Sequence, residues 1–416
     1  MNLTDAQLEL LLRRGVAEVI VEAELVEMLQ SARPLRLKQG FDPSRPDIHL
    51  GHVVGLRKLR QFQALGHQVV LIVGDWTAQI GDPSGQSATR PMLSAEEVRA
   101  NAETYMQQFF KVVDRDKTEV RWQSEWFGKF TLADVIKLTS RFTVAQILAR
   151  EDFNKRYNSG RPIAITEMLY PLLQAYDSVV IEADVEFGGM DQKFNCLVGR
   201  ELQTMVGRRP QQVFLMPLLV GTDGVNKMSK SLDNYIAVTD PPPDMYGKVM
   251  SIPDHLIMDY FELLTDVPEP DLTELRSQMK GQSVNPMLLK KRLALEIVAQ
   301  FHSLVAASEA EAEFQRVFQR GEEPQEVPEY RVSLKAIAIQ ELTKDGSDQA
   351  IVDITALLPH IGLAKSRSDA RRLYSQGAIE VDEQPPASHL AAISDGSVIR
   401  VGKRRFVRIV NLDKHL

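Results

Sequence analysis

At 416 residues the chain is too long for one ordinary hydrophobic core, and two or three domains are expected. Hydrophobic residues at 44% and charged residues at 25% match a globular protein, and no apolar run is long enough to cross a bilayer. The net charge of −7 gives no general preference for nucleic acid, and the single cysteine, Cys196, permits no internal disulfide and argues against a cysteine-based zinc site.

The opening, Met1-Asn2-Leu3-Thr4-Asp5, lacks the basic-then-apolar order of a secretory signal, so a reducing cytoplasm is the expected home. Residues 1–33 are predicted as an amphipathic helical lead-in, with Leu8, Leu11 and Leu12 among charges. Arg36 to Asp42 follows as a strand running into a turn, and Pro43 and Pro46 end regular structure before a helix opens near His49. Val53, Val54, Leu56, Leu59, Phe62 and Leu65 carry that helix at helical spacing, with Gly66 past its end. Val69 to Gly74 is a continuous apolar run, as a strand covered on both faces requires. Strand, helix and strand in this order predict a parallel βαβ unit with a right-handed crossover.

Ser94 with Glu97 predicts a capping box for a helix ending near Val113, and Thr131 with Asp134 is a weaker instance. Gln212 to Val220 reads as another buried strand leading into Lys227-Met228-Ser229-Lys230-Ser231. Past Pro241-Pro242-Pro243 helices dominate, one of them with Asn285 as cap and Pro286 in its first turn. The stretch from Glu322 to Glu329 and that from Thr343 to Gln349 read as linkers. A last module begins near Ile351, with a helix over Ser368–Gln376 and strands over 378–382 and 397–410. The boundaries are therefore 1–33, 34–240, 241–345 and 351–416. Basic residues gather in the last segment, a way to confine a polyanion to one face of an acidic body.

Two short motifs carry the chemistry. In His49-Leu50-Gly51-His52 two imidazoles stand one turn apart at a helix start, where unpaired N–H groups and the helix dipole favour phosphate. Gly51 leaves room for a flat base to approach the backbone. Alone, the motif reads equally well as a surface histidine pair or as two metal ligands, although no third or fourth ligand is evident. Lys227 and Lys230 follow a buried strand in a segment flexed by Gly221 and Gly224. Alone, such a loop is solvated surface. At the strand end of an α/β sheet it becomes a pair of mobile cations for phosphate.

With these motifs in place the chain resembles a class I aminoacyl-tRNA synthetase, and within that class the tyrosyl-tRNA synthetases. Gly40-Phe41-Asp42-Pro43, Gly81-Asp82-Pro83-Ser84-Gly85, Tyr170 with Gln174-Ala175-Tyr176-Asp177, and Gly188-Gly189 with Asp191-Gln192 carry the resemblance from about residue 34 to the end. It implies a Rossmann-like parallel-sheet catalytic domain of α/β class, interrupted by a dimerisation segment at about 115–185. A helical anticodon-binding domain and a small α+β RNA-binding module follow. Implied substrates are ATP with Mg²⁺, L-tyrosine and tRNA(Tyr), with a homodimer, no structural zinc, no DNA and no membrane.

Residue by residue, the resemblance makes His49, His52, Lys227, Lys230 and Ser44 the catalytic set. Gly51, Asp42, Gly189, Asp191, Lys230 and Ser231 match contacts to ATP. Asp82, Tyr170 and Gln174 match the groups around the substrate ammonium, Asp177 the acceptor of its phenol and Gln192 a contact to its carboxylate. From residue type alone Asp177 reads as a surface charge. Lys365, Arg367, Arg371 and Arg372 match an RNA-binding face, which charge clustering alone equally allows to be a solvated one. Three features depart from the better-known branch and resemble a second bacterial branch. Lys38 replaces a tyrosine beside the phenol, Gln86 replaces a lysine while Arg90 remains, and the lysine loop reads Lys-Met-Ser-Lys-Ser.

Overall fold

The computed structural model describes residues 3–31, 33–44, 47–84, 92–320, 327–342, 349–402 and 405–414. Pro46, Gly85, Gln86, Arg90, Lys403, Arg404 and most of both expected linkers lie outside the described residues. The chain divides into two compact units, Met1–Leu304 and Val305–Leu416.

The first unit opens with α1 (Asp5–Arg13), β1 (Glu18–Ile20) and α2 (Glu22–Gln30). Thr4 and Gln7 cap α1 reciprocally, and the Lys58 ammonium caps its end by donating to the Leu11 and Arg14 carbonyls at 3.0 and 2.8 Å. The lead-in is thus not purely helical. β1 pairs antiparallel with β6 (Gln212–Met216), Val19 opposite Phe214, so three residues of a nominally helical stretch complete the main sheet. Their half-buried side chains give too short a pattern for periodicity to register.

The remaining strands are β2 (Arg36–Phe41), β3 (Gln68–Val73), β4 (Thr118–Trp122) and β5 (Val185–Gly189), in sheet order β1-β6-β5-β2-β3-β4. All neighbours but β1 run parallel. α3 (Leu50–Ala64) is the crossover between β2 and β3 and buries Val53, Leu56, Leu59 and Phe62. The interior residues of β3 are fully covered, as expected for a central parallel strand.

Beyond β3 come α4 (Thr77–Ile80) and α5 (Ala95–Phe109), the latter started by the Ser94–Glu97 capping box. Short helices α6 (Ser124–Phe127), α7 (Leu132–Thr139), α8 (Val144–Leu148) and α9 (Glu151–Asn158) then lead into α10 (Ile165–Val180). α11 (Lys193–Met205) packs beside α10 over Phe153, Leu172, Ala175 and Leu202. After β6, α12 (Pro242–Met250), α13 (Ile257–Leu264), α14 (Glu269–Lys280) and α15 (Pro286–Phe301) form the expected helical region, α15 capped by Asn285.

In the second unit, α16 (Leu304–Phe314) starts at the division. It is followed by β7 (Glu329–Val332), α17 (Leu334–Ile337), β8 (Gln340–Leu342), β9 (Gln349–Asp353) and α18 (Ile354–His360). α19 (Arg367–Ser375), β10 (Ile379–Val381), β11 (Leu390–Ser394), β12 (Val398–Val401) and β13 (Arg405–Asn411) complete it. Two sheets, β10-β12-β13-β7 and β11-β9-β8, enclose a core of Val352, Leu358, Ala370, Ile379, Ile393, Ile399 and Ile409. The unit reaches further back than Ile351: β7 lies parallel to β13, and Tyr330 and Val332 pack on the same core.

Candidate active site

In an open parallel sheet, ligands bind beyond the carboxyl ends of the strands, where the crossovers diverge. Here that point lies between β2, whose chain continues to β3, and β5, whose chain continues to β6 on the other side. Asp42 to His49 leaves the end of β2, Gly189 to Gln192 the end of β5 and Gln123 the end of β4, while the lysine loop follows β6.

His49 is the N-cap of α3, with extended backbone at φ −126° and ψ 170°. Its Nδ1 accepts from the Gly51 N–H at 3.2 Å, and His52 Nδ1 accepts from the His49 N–H at 3.1 Å. With both Nδ1 atoms accepting, each neutral ring carries its proton on Nε2, free to donate. The ring centroids are 3.9 Å apart. Burial first, then the Lys230 charge, lowers the His52 pKa to about 3. Burial, His52 and the two loop lysines push His49 well below its ordinary value. Both rings are uncharged donors at neutral pH.

The lysines weigh on these imidazoles because the loop lies against the helix start. A Cβ at Gly51 would come within 3.6 Å of Met228 Cβ, and buried Met228 donates its N–H to the Leu219 carbonyl at 2.8 Å. Asn234 shapes the loop: Oδ1 accepts from the Ser229 N–H at 2.8 Å, and Nδ2 donates to the Lys227 carbonyl at 3.1 Å and to Asp223 at 3.0 Å. A Cβ at Gly221 would collide with Asn234, so glycine there permits the close packing. Lys230 Nζ donates to the Tyr105 hydroxyl at 3.1 Å, and Lys227 pairs with Asp191 at 2.6 Å. Ser44 and Ser231 are exposed at the rim.

The expected amino-acid contacts lie in hydrogen-bonded groups about Asp42, Asp82 and Glu186. α10 is helical throughout, which sets Tyr170, Gln174 and Asp177 on neighbouring turns. The Tyr170 hydroxyl donates to Asp42 Oδ2 at 2.8 Å, and Thr77 donates to Asp42 Oδ1 at 2.7 Å. Burial and the Asp42 carboxylate hold the Tyr170 phenol well above its usual pKa, so it remains a donor. Gln192 Nε2 donates to Asp82 at 2.7 Å, Asp82 accepts the Ser84 N–H at 2.8 Å, and buried Arg150 reaches Ser84 Oγ at 3.0 Å.

Asp177 is buried, not a surface charge. It accepts from Gln123 Nε2 at 2.8 Å and Trp126 Nε1 at 3.1 Å. Burial raises its pKa to about 7, opposed by Lys38 and by those two donors. Lys38 is fully buried, with Nζ donating to the Gln174 carbonyl and Ser178 Oγ at 2.7 Å each and paired with Glu186 at 2.9 Å. Three partners use all three ammonium protons, so none is left for a phenol in this arrangement.

Gln123, Trp126, Tyr105, Arg150, Glu186 and Asn234 are site residues that sequence reasoning did not single out. The alternation Thr118-Glu119-Val120-Arg121-Trp122 marks a strand whose end delivers Gln123 and Trp126. A charge inside each of two central strands, Lys38 and Glu186, signals their pairing. Tyr105, Arg150 and Asn234 carry no such local mark. Among the described residues no group of three or more His, Cys, Asp or Glu side chains is placed to hold a metal ion.

In the second unit Lys365, Arg367, Arg371 and Arg372 are exposed on and just before α19. Arg367 pairs with Asp353 and Arg372 with Asp369, each at 2.6 Å.

The model of the class I tRNA synthetase family (W and Y) matches residues 30–319. A tyrosine–tRNA ligase of Dehalococcoides mccartyi strain CBDB1 is 59% identical over 410 residues, 99% of this chain and all of that protein. One from Thermotoga maritima is 51% identical over 401 residues, 96% of each chain. In fold, the chain is similar to a tyrosyl-tRNA synthetase from Archaeoglobus fulgidus solved with L-tyrosine, at TM-score 0.59 and 23% identity over 74% of this chain and 98% of that one. A truncated mitochondrial tyrosyl-tRNA synthetase from Aspergillus nidulans gives TM-score 0.63 at 20% identity over 75% and 94%. The sequence likeness extends through the lead-in as well as from residue 34 onward. The chain therefore belongs to the class I tRNA synthetases of the W and Y group, and within it to the tyrosine–tRNA ligases.

Proposed function

We propose that this chain activates L-tyrosine with ATP and then charges tRNA(Tyr). A tyrosine carboxylate oxygen attacks the α-phosphorus, the bond to the bridging oxygen of the β-phosphate breaks, and diphosphate leaves. A hydroxyl of the terminal adenosine of the tRNA then attacks the activated carbonyl carbon and AMP leaves. No protein nucleophile takes part; the rate comes from positioning and charge stabilisation. Mg²⁺ enters with ATP as its substrate salt. The observation that carries this reading is the meeting of the Lys227–Ser231 loop with the His49–His52 helix start, at the strand ends that Asp42, Gly189 and Gln192 also leave.

In this reading the His49 and His52 Nε2–H groups donate to phosphate oxygens, and Lys227, Lys230 and Ser44 receive the departing diphosphate. Gly51, Asp42, Gly189, Asp191 and Ser231 line the nucleotide. Asp82, Tyr170 and Gln174 surround the ammonium, Gln192 the carboxylate, and Asp177 accepts the phenol proton. A buried acceptor left unpaired by phenylalanine rejects it, an effect for which tyrosyl-tRNA synthetase is itself the standard worked example. Lys365, Arg367, Arg371 and Arg372 bind RNA phosphates.

The chain acts as a homodimer in this reading, supported by a run of exposed apolar side chains, Leu132, Ile136, Val144, Tyr157 and Ile165, in the segment expected to dimerise. The test is ATP–diphosphate exchange with single amino acids, followed by charging of tRNA. Tyrosine alone drives exchange. Exchange driven by tryptophan moves the chain to the other half of its family, and RNA binding without exchange removes the catalytic reading.

A further inference from the structure

Two charges sit at the centre of the first unit's sheet without touching any position assigned to a substrate other than Gln174. Lys38 on β2 and Glu186 on β5 face each other in register at the point where the crossovers diverge, and both are buried. Isolated charges at such a depth are unfavourable, so their polar partners must be complete. They are. Glu186 Oε1 accepts from Lys38 and from Gln174 Nε2 at 3.0 Å, and Oε2 accepts from Ser178 Oγ at 3.3 Å and from Gln211 Nε2. Lys38 in turn holds the Gln174 carbonyl and Ser178 on α10.

This arrangement has a direction. An ionised carboxylate only accepts, so it can face the NH₂ end of the Gln174 amide but not its oxygen. The Gln174 side-chain oxygen is then turned away from Glu186. With Lys38 made neutral as well, an amide in place of Glu186 would allow either orientation, and the flipped one offers N–H groups to a cation. While Lys38 is charged, its donor-only ammonium keeps the amide oxygen at the position Gln174 also meets.

We propose that the Lys38–Glu186 ion pair is a positioning device that sets the polarity of Gln174, presenting its carbonyl oxygen to the substrate ammonium and so selecting a free amino acid over a deaminated analogue. The inference rests on the tyrosine-activating function proposed above. It assigns to Lys38, which stands where a tyrosine accompanies the phenol in the related branch, a task at the other end of the substrate.

The test is competitive inhibition of tyrosine-dependent ATP–diphosphate exchange by a matched pair. Tyrosinol carries the ammonium, and 3-(4-hydroxyphenyl)propan-1-ol lacks it. In Lys38→Met/Glu186→Gln, which removes both charges together and leaves neither buried alone, the inhibition constant of tyrosinol rises on the order of tenfold, the loss expected for one hydrogen bond to a charged group. That of the deaminated alcohol stays within about twofold. Lys38→Leu/Glu186→Gln loses the same selectivity and supplies the answer should the first variant not fold. A parallel rise for both inhibitors marks a packing role and overturns the proposal, as does an unchanged ratio. A wild-type protein without tyrosine-dependent exchange overturns the functional reading instead, so the two failures are distinct.

Discussion

In the proposed function Asp177 is the residue on which substrate choice turns, and burial brings its titration near neutral pH. Burial moves its carboxyl from the usual 3.8 to about 7. Because the folded protein holds this proton more tightly than the unfolded chain, the associated stability is complete below about pH 4 and is lost as pH rises through about 7. Asp177→Asn removes that dependence, so the urea midpoint of the variant relative to wild type climbs over this interval, by at most about 4 kcal/mol of stability. The same variant raises KM for tyrosine by about one to two orders of magnitude, as loss of a charged acceptor predicts. The rise of kcat/KM for tyrosine through about pH 7 disappears with it. In the same proposal Lys230 serves the other half of the reaction. Removing one preorganised cation, as in Lys230→Ala, lowers single-turnover adenylate formation on the order of a hundredfold while tyrosine binding is unchanged.

At the scale of elements, one side chain ties the lysine loop together alongside backbone bonds such as that from Met228 to Leu219. Asn234 joins Ser229, Lys227 and Asp223, and Gly221 packs directly against it. Asn234→Ala therefore slows adenylate formation by about tenfold, an effect carried by the loop, with the equilibrium constant for tyrosine, read by fluorescence, unaltered. Of the four cations on and just before α19, two are engaged with Asp353 and Asp369, whereas Arg371 and Lys365 make no ion pair among the described residues. Lys365→Ala/Arg371→Ala accordingly weakens tRNA binding and shallows its salt dependence by about one unit of slope for each phosphate no longer neutralised. Tyrosine-dependent exchange stays at the wild-type rate. The helix and strand signals behind these elements are local. Ser94 with Glu97, Asn285 before Pro286 and the apolar run of β3 are each complete within a few residues, and each is found as expected. β1 and β7 carry no such signal, because three or four half-covered residues become strands only when β6 or β13 lies beside them.

For the molecule as a whole, the segment 132–165 leaves Leu132, Ile136, Val144, Tyr157 and Ile165 exposed. Leu132 and Ile165 are 75% and 79% exposed, a poor arrangement for a lone protomer. Leu132→Asp/Ile165→Asp shifts the sedimentation coefficient from dimer to monomer, with the secondary-structure content by circular dichroism preserved. What the chain's residues determined by themselves was the parallel α/β core, the presence of the His49–His52 and Lys227–Ser231 motifs and the family, because hydrophobic period, capping and short spaced motifs are properties of neighbouring residues. Tertiary structure alone decided that Asp177 is buried under Gln123 and Trp126, that Lys38 is spent on Glu186 and α10 instead of a phenol, and that both imidazoles are neutral. Burial and charge pairing depend on groups brought together from distant strands, and no local pattern encodes how deep a side chain will lie or which opposite charge will reach it.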